Sequence, residues 1–116
     1  MGEIKLDELR CIPCKGNEPT VLAEEMKVYL NQLPGWQVIE RDGINRLQRV
    51  YKFKNFQQSL DFTNRVGEIA EQEDHHPSLT TEWGRVTVIW WTHAIKGLHR
   101  NDFVMAAKCD RLYGSS

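Results

Sequence analysis

Two tight-turn signals constrain the fold of this 116-residue chain more than any other feature. Asp42-Gly43 is a dipeptide typical of two-residue hairpin turns, and Gly84 marks a second such position. Runs with strand-like composition or alternation flank both signals, at residues 36–40 and 46–53, and at 78–82 and 85–92. The sequence therefore predicts two antiparallel hairpins.

Helical periodicity occupies the segments before, between and after these hairpins. Thr20 can cap a first helix that Pro34-Gly35 ends. The apolar residues of this helix fall on one stripe: Leu22, Met26, Tyr29, Leu30 and Leu33. Asn55 and Gln58 form a variant capping box for a second helix that runs to about Glu73. Its predicted buried side consists of Phe56, Leu60, Thr63, Val66, Ile69 and Ala70.

The last helix begins at about His99 to Asn101 and runs to about Tyr113. The predicted element order is thus α-β-β-α-β-β-α. We expect a two-layer α+β domain in which a four-stranded antiparallel sheet has its helices on one face. Residues 1–116 form one domain, with a polar N-terminal arm over 1–19, where no period is visible, and the folded body over 20–113.

Charge and composition exclude several classes of function. The net charge is −1 and lysine and arginine are not clustered, so a nucleic-acid partner is not expected. No apolar run approaches the ~18–20 residues of a membrane span, so no membrane partner is expected either. The first ten residues are polar and the three cysteines cannot all pair, which indicates a reducing compartment and predicts a cytoplasmic protein.

Three of the four histidines, His75, His76 and His93, can meet at one end of the second hairpin. If Trp83-Gly84 is a two-residue turn, Glu82 pairs with Arg85 and Ser78 pairs with Ile89. Extrapolation of this ladder places residues 74–76 opposite residues 91–93, within reach of each other. An isolated histidine is usually structural, whereas three imidazoles within reach indicate a functional site.

Several other residues have both a structural and a functional interpretation. Asp102 heads an apolar stripe of the last helix, where a carboxylate needs a partner, although the helix dipole also favours it there. Cys11-Ile12-Pro13-Cys14 has metal-ligand spacing but no second ligand pair, so it is interpreted as a non-functional motif of the arm. Cys109 is assigned to the core and His99 to the surface. Of Trp90 and Trp91, one is expected in the core and the other at a site or interface.

The spacing of seven residues resembles the signature of the pterin-4a-carbinolamine dehydratases. The matching positions are Glu71, His75-His76-Pro77, Trp83, His93 and Asp102. The resemblance implies an α+β fold, a homodimer or homotetramer, and dehydration of 4a-hydroxytetrahydrobiopterin to quinonoid dihydropterin in tetrahydrobiopterin recycling. It implies neither a metal nor an organic cofactor.

The resemblance also implies roles for individual residues. His75, His76 and His93 would be the catalytic acid–base groups. Asp74, Thr92, Ala94 and Trp83 would contact the pterin substrate. Glu71 and Asp102 would orient the imidazoles, as carboxylates commonly do.

Two alternatives stay open at this stage. Three histidines with an open coordination position could form a zinc site of the hydrolase type. The chain could also be a non-catalytic dimerisation module. The sequence does not identify the physiological pterin, and it does not separate a dimer from a tetramer.

Overall fold

The computed structural model describes residues 5–13, 16 and 18–114 and has the predicted α+β architecture. Three helices and four strands follow the predicted order: α1 (Ala23–Leu30), β1 (Gln37–Arg41), β2 (Ile44–Lys52), α2 (Phe56–Glu73), β3 (Ser78–Glu82), β4 (Arg85–Trp90) and α3 (Arg100–Gly114). Single 3-10 turns lie at Leu6–Glu8 and His93–Ile95. None of the helices in the described part of the chain is long and apolar enough to cross a membrane.

The four strands form one antiparallel sheet in the order β1-β2-β4-β3. Asp42 and Gly43 both have positive φ, as a tight hairpin turn with this twist requires. In the second hairpin Glu82 pairs with Arg85 and Ser78 with Ile89, which confirms the predicted register. The turn forms despite Trp83 because only Gly84 adopts a positive φ, of 78°.

The second hairpin is shorter than predicted. Strand β4 ends at Trp90 rather than at residue 92, so the extrapolated pairs between residues 74–76 and 91–93 do not form. Thr92 instead makes an isolated bridge with Gly97, in which the Thr92 N–H donates to the Gly97 carbonyl at 2.8 Å. This bridge turns the chain away from β3 and starts the loop that leads into α3.

The core lies between the sheet and the helices. Val86, Val88 and Trp90 alternate along β4 and are fully buried, with Leu47 and Tyr51 of β2 beside them. Leu98 and Cys109 are also buried, and the latter was assigned to the core from the sequence. Burial raises the pKa of the Cys109 thiol.

The N-terminal cap of α2 was predicted correctly, but the prediction of its buried face was partly wrong. The Asn55 side chain accepts a hydrogen bond from the Gln58 N–H at 2.8 Å and begins the helix as expected. The buried residues are Ser59, Phe62, Val66 and Ala70, whereas the predicted Phe56 and Leu60 are exposed. The helix faces the sheet through Phe62, whose ring centroid lies 4.6 Å from that of Tyr51.

The first helix is shorter than predicted and is not capped by Thr20. The Val21 N–H donates to the Leu98 carbonyl, which holds the chain extended there, and α1 begins only after Leu22. Glu25 accepts from the Leu22 N–H at 3.1 Å. The helix ends at Leu30, before Pro34, and Leu22 is exposed although the stripe predicted it to be buried.

The N-terminal segment is not simply a polar arm. Leu6 is 2% exposed and belongs to the hydrophobic core, because the turn at Leu6–Glu8 packs on α3. The Leu6 N–H donates to the Gln32 side chain, and the Lys108 ammonium donates to the Asp7 carbonyl. As a result α3 is covered on two sides, and residues Asn101–Ala107 are all buried. The second cysteine of the arm motif, Cys14, lies outside the described residues.

Candidate active site

A cleft of about 390 Å³ opens where α2 ends, β4 ends and α3 begins. It is lined by Cys11, Ile12, Pro13, Glu73, Asp74, His75, His76, Trp91, Thr92, His93, Ala94 and Asn101. The volume is within the roughly 300–1,000 Å³ range of small-molecule sites. The three predicted histidines meet here although they do not pair across the hairpin.

The end of α2 fixes the position of His75. Asp74 caps the helix in the left-handed conformation, with φ 52° and ψ 43°, and the next N–H, that of His75, donates to the Ala70 carbonyl. The His75 ring stacks on Trp90 with 5.7 Å between centroids and 8° between planes. Its Nε2 atom lies 2.6 Å from Oδ1 of Asp102. The imidazole is therefore held by a ring face and by a carboxylate.

Asp102 is fully buried and has three hydrogen-bond partners. Besides His75, its carboxylate accepts from the Thr92 hydroxyl at 2.8 Å and from the His99 N–H at 2.9 Å, both through Oδ2. A buried carboxylate needs such partners, because an unpaired one would be strongly destabilising. Asp102 therefore links the end of β4, the end of α2 and the start of α3.

His99 caps α3. The prediction that it is a surface residue was wrong. The residue is only 6% exposed, and its Nδ1 atom accepts a hydrogen bond from the Asn101 N–H at 3.0 Å. Asp102 accepts from the His99 N–H, so α3 begins with a variant of the capping box in which the histidine ring accepts from the Asn101 N–H rather than from that of Asp102. Burial lowers the pKa of His99, and Asp102 opposes this shift only in part.

His76 and His93 lie on the open side of the cleft and are exposed. The Nε2 atom of His76 lies 2.5 Å from Oε1 of Glu71, one turn back on α2. The His93 ring packs against the Trp91 ring with 4.5 Å between centroids. The Arg46 guanidinium also lies over the Trp91 ring, 4.1 Å from its centroid. Trp90 is the core residue and Trp91 the cleft residue of the adjacent pair, as the sequence predicted.

Most of the expected substrate contacts lie at the cleft, but one does not. Asp74, Thr92 and Ala94 line it. Trp83 lies in the turn at the far end of the β3–β4 hairpin, is 73% exposed and does not line the cleft. Of the seven signature residues, only the three histidines line the cleft.

Five residues of the cleft were not predicted from the sequence: Cys11, Ile12, Pro13, Glu73 and Asn101. The arm motif was interpreted as non-functional, yet three of its residues line the cleft. Burial, aided by the Glu73 charge, raises the pKa of the Cys11 thiol to about 12, so this thiol is neutral at physiological pH. The signal available in the sequence was the apolar Ile12-Pro13 pair between the two cysteines of the motif.

Within the described residues, no three histidine, cysteine, aspartate or glutamate side chains are grouped so that they could hold a metal ion. The Nε2 atoms of His75 and His76 are each engaged by a carboxylate instead. The zinc alternative therefore finds no donor set in this part of the chain. Three imidazoles, two of them paired with carboxylates, can instead serve as general acids and bases.

Comparison with known proteins identifies the family. The model of the family "Pterin 4 alpha carbinolamine dehydratase" matches residues 19–112. This chain belongs to that family, and it is an enzyme of the lyase class.

Relatives from two bacteria show how far the similarity extends. A protein of Vibrio vulnificus strain YJ016 is 53% identical over 107 residues, which cover 92% of this chain and 97% of the relative. A protein of Syntrophotalea carbinolica is 54% identical over 108 residues, or 93% and 96% of the two chains. Both are provisionally named pterin-4-alpha-carbinolamine dehydratases.

A solved structure supports the fold. The crystal structure of a Brucella melitensis protein, described as a transcriptional coactivator/pterin dehydratase, superposes with a TM-score of 0.75 at 33% identity. The match covers 83% of this chain and all of the other. The α+β fold predicted from the sequence is thereby confirmed.

Proposed function

We propose that this enzyme dehydrates the 4a-carbinolamine of a tetrahydropterin, 4a-hydroxytetrahydrobiopterin, by histidine acid–base catalysis. The C4a–OH bond breaks as the departing hydroxyl takes up a proton, and the N5–H proton leaves as the C4a=N5 bond forms. The products are quinonoid dihydropterin and water, and no electrons are gained or lost. Imidazole suits both proton transfers because its reference pKa of ~6.5 is close to neutrality.

The observation that supports this proposal best is the meeting of His75, His76 and His93 in one cleft of substrate size. His75 is the most constrained of the three. Since Asp102 engages its Nε2 atom, Nδ1 is the ring nitrogen left for a substrate. A histidine oriented in this way needs little reorganisation when the reaction begins.

The other two histidines complete the site from its open side. His76 is oriented by Glu71, and His93 by its contact with Trp91. In the proposal all three act as acid–base and binding groups around C4a, while Asp74, Thr92 and Ala94 contact the pterin. Asp102 and Glu71 are positioning residues that act through His75 and His76.

The proposal extends to the setting of the reaction. The enzyme would serve tetrahydrobiopterin recycling in the cytoplasm as a homodimer or homotetramer. The exposed apolar side chains of Phe56, Leu60 and Trp83 support self-association, because burial of such residues against a second copy would stabilise a small domain. Light scattering at micromolar concentration tests this part, and a monomer there would contradict it.

The test of the activity is a carbinolamine dehydration assay on the purified chain. We expect the dehydration rate to rise with enzyme concentration and to persist in excess chelator. Complete loss of activity in chelator, with recovery on addition of zinc, would contradict the proposal and support the zinc alternative. Absence of any acceleration by the untreated chain would contradict both.

A further inference from the structure

The N-terminal strap, defined as residues 10–13, is fastened to the body of the molecule at two points beside the cleft. At the first point Glu73 accepts from the Cys11 N–H at 2.8 Å and from the Arg10 side chain at 2.6 Å. Burial alone would raise the pKa of the Glu73 carboxyl, but these two hydrogen bonds outweigh it and lower that pKa. Glu73 is therefore charged at neutral pH and binds the strap through both of its oxygens.

The second point is the side chain of the buried residue Asn101, which forms two hydrogen bonds with the backbone of a single strap residue. Its Oδ1 accepts from the Ile12 N–H at 3.0 Å, and its Nδ2 donates to the Ile12 carbonyl at 2.6 Å. Arg100 adds a bond to the Arg10 carbonyl at 2.9 Å. Two hydrogen bonds from one side chain to the N–H and the carbonyl of the same residue fix both the position and the orientation of Ile12.

Beyond the strap, the next described residue is Gly16, which lies near the loop after β4. A Cβ atom added to Gly16 would lie 3.7 Å from the Cβ of Ala94, which lines the cleft. The described residues of the N-terminal segment therefore reach Glu73 at the end of α2 and Ala94 in the loop after β4. Fastening of this kind goes beyond what a surface arm needs in order to stay attached.

The strap also supplies apolar lining that the catalytic histidines cannot. Among the cleft residues five are apolar: Cys11, Ile12, Pro13, Trp91 and Ala94. Three of these five belong to the strap. Ile12 is 48% exposed even though its backbone is clamped, so its side chain is held in place while part of it stays accessible. A flat heteroaromatic substrate requires such apolar surface beside a few polar groups.

We infer that the strap is one wall of the substrate site, that Ile12 contacts the pterin ring, and that Glu73 and Asn101 are positioning residues for this contact. The inference rests on the proposed function for the identity of the ligand. The wall contributes to substrate binding rather than to proton transfer, because its cleft residues are Ile12, Pro13 and the neutral thiol Cys11. It follows that changes in the strap affect KM and leave kcat almost unaltered.

The experiment compares Ile12→Ala with Val28→Ala, a matched control whose residue is 51% exposed on α1 and lies outside the cleft. We expect Ile12→Ala to raise KM by roughly 10-fold, the lower end for loss of an apolar contact, with kcat within about twofold. Val28→Ala should match the wild type, and Ile12→Leu should restore most of the binding. A wild-type KM in Ile12→Ala overturns the inference.

A second pair of variants tests the fastening. Glu73→Ala removes both bonds to the strap, whereas Glu73→Gln retains an oxygen that can accept from the Cys11 N–H. We expect faster hydrogen exchange at the Cys11 and Ile12 amides and a raised KM in Glu73→Ala, with Glu73→Gln closer to the wild type. Faster exchange with an unchanged KM would make the strap a structural tie only and would overturn the inference.

Titration with 7,8-dihydrobiopterin separates failure of the inference from failure of the proposed function. If the wild type binds this pterin without dehydrating the carbinolamine, the proposed function fails, and a roughly 10-fold weaker Kd in Ile12→Ala still supports the strap as a binding wall. If the wild type dehydrates the carbinolamine and Ile12→Ala behaves identically, only the inference fails. A wild type that neither binds nor reacts overturns both.

Discussion

The Nε2 atom of His75 lies 2.6 Å from the Asp102 carboxylate, although 27 positions separate the two residues in the chain. The contact joins the residue that follows α2 to the first turn of α3. Thr92 donates to the same carboxylate from the end of β4. One buried acidic group thus sets the relative positions of three elements and orients the imidazole on which the proposed chemistry depends.

Asp102→Asn tests this orientation. The amide keeps the shape and can still accept one of the hydrogen bonds, but it loses the charge that pairs with the imidazole. We expect kcat to fall at least about tenfold, at the low end of acid–base contributions, with KM changed much less. Steady-state kinetics measure kcat and KM of Asp102→Asn, and an unchanged melting profile shows that the variant is folded. A full rate would reduce Asp102 to a residue of the helix start.

The three histidines are expected to act as one unit. His75→Ala and His93→Ala should each reduce the rate by at least about tenfold. The double variant should lose less than the product of the two single losses, because residues that serve one step are not additive. The same dehydration assay measures all three variants. A wild-type rate in either single variant would remove that histidine from the proposed site.

Asp74, the residue before His75, adopts a left-handed backbone conformation. Its φ of 52° is tolerated by aspartate and asparagine, favoured by glycine and unfavourable for a β-branched residue. We expect Asp74→Val to lower the free energy of unfolding by about 1–2 kcal/mol, while Asp74→Gly and Asp74→Asn stay close to the wild type. Denaturant titration provides these values, and an unaffected Asp74→Val would contradict the role given to this cap.

Asp74→Gly has a second use, since it removes a side chain that lines the cleft without straining the backbone. If this carboxylate contacts the pterin, KM rises in Asp74→Gly while stability is retained. An unchanged KM would limit Asp74 to its role in ending the helix.

Local signals explain why much of the fold could be predicted. Asn55 and the Gly84 turn are each determined by neighbours within three or four residues, and both predictions were correct. The prediction of the buried face of α2 was partly wrong because Phe56 and Leu60 are apolar but lie beside the stripe of residues that packs on the sheet. Periodicity reports that a face is apolar, but not whether that face meets this chain or solvent.

Long-range contacts limited the prediction of the site. The histidine spacing was visible in the sequence, whereas the strap depends on hydrogen bonds from Cys11 to Glu73 and from Ile12 to Asn101, which lie 62 and 89 positions apart. No local pattern announces such bonds. His99 was misplaced for a related reason: a histidine at a helix start looks solvated until the buried cap that it forms with Asp102 is known.

His99 makes the stability of α3 dependent on pH. Its Nδ1 atom can accept from the Asn101 N–H only while the ring lacks a proton there. Burial lowers the pKa of His99 in the folded chain, and Arg100 and His75 act in the same direction, while Asp102 and Glu18 oppose it. The unfolded chain takes up this proton near the ordinary value of 6.5, and the folded chain only at lower pH.

The sign of the effect follows from these two values. Above pH 6.5 the ring is neutral in both states, and its contribution to stability is fully present. As the pH falls below 6.5, the unfolded state binds the proton first, so the free energy of unfolding decreases until the folded state is protonated as well. We therefore expect the stability of the wild type to decline on acidification partly through this residue.

His99→Asn separates the cap from the titration, because asparagine is a good N-cap and does not ionise. At pH 8 we expect His99→Asn to match the wild type closely, whereas His99→Ala, which cannot cap, loses about 1 kcal/mol. On acidification below pH 6.5 the wild type should lose stability relative to His99→Asn, as measured by denaturant titration across the pH series. Parallel curves for the two proteins would show that protonation of His99 does not open the cap.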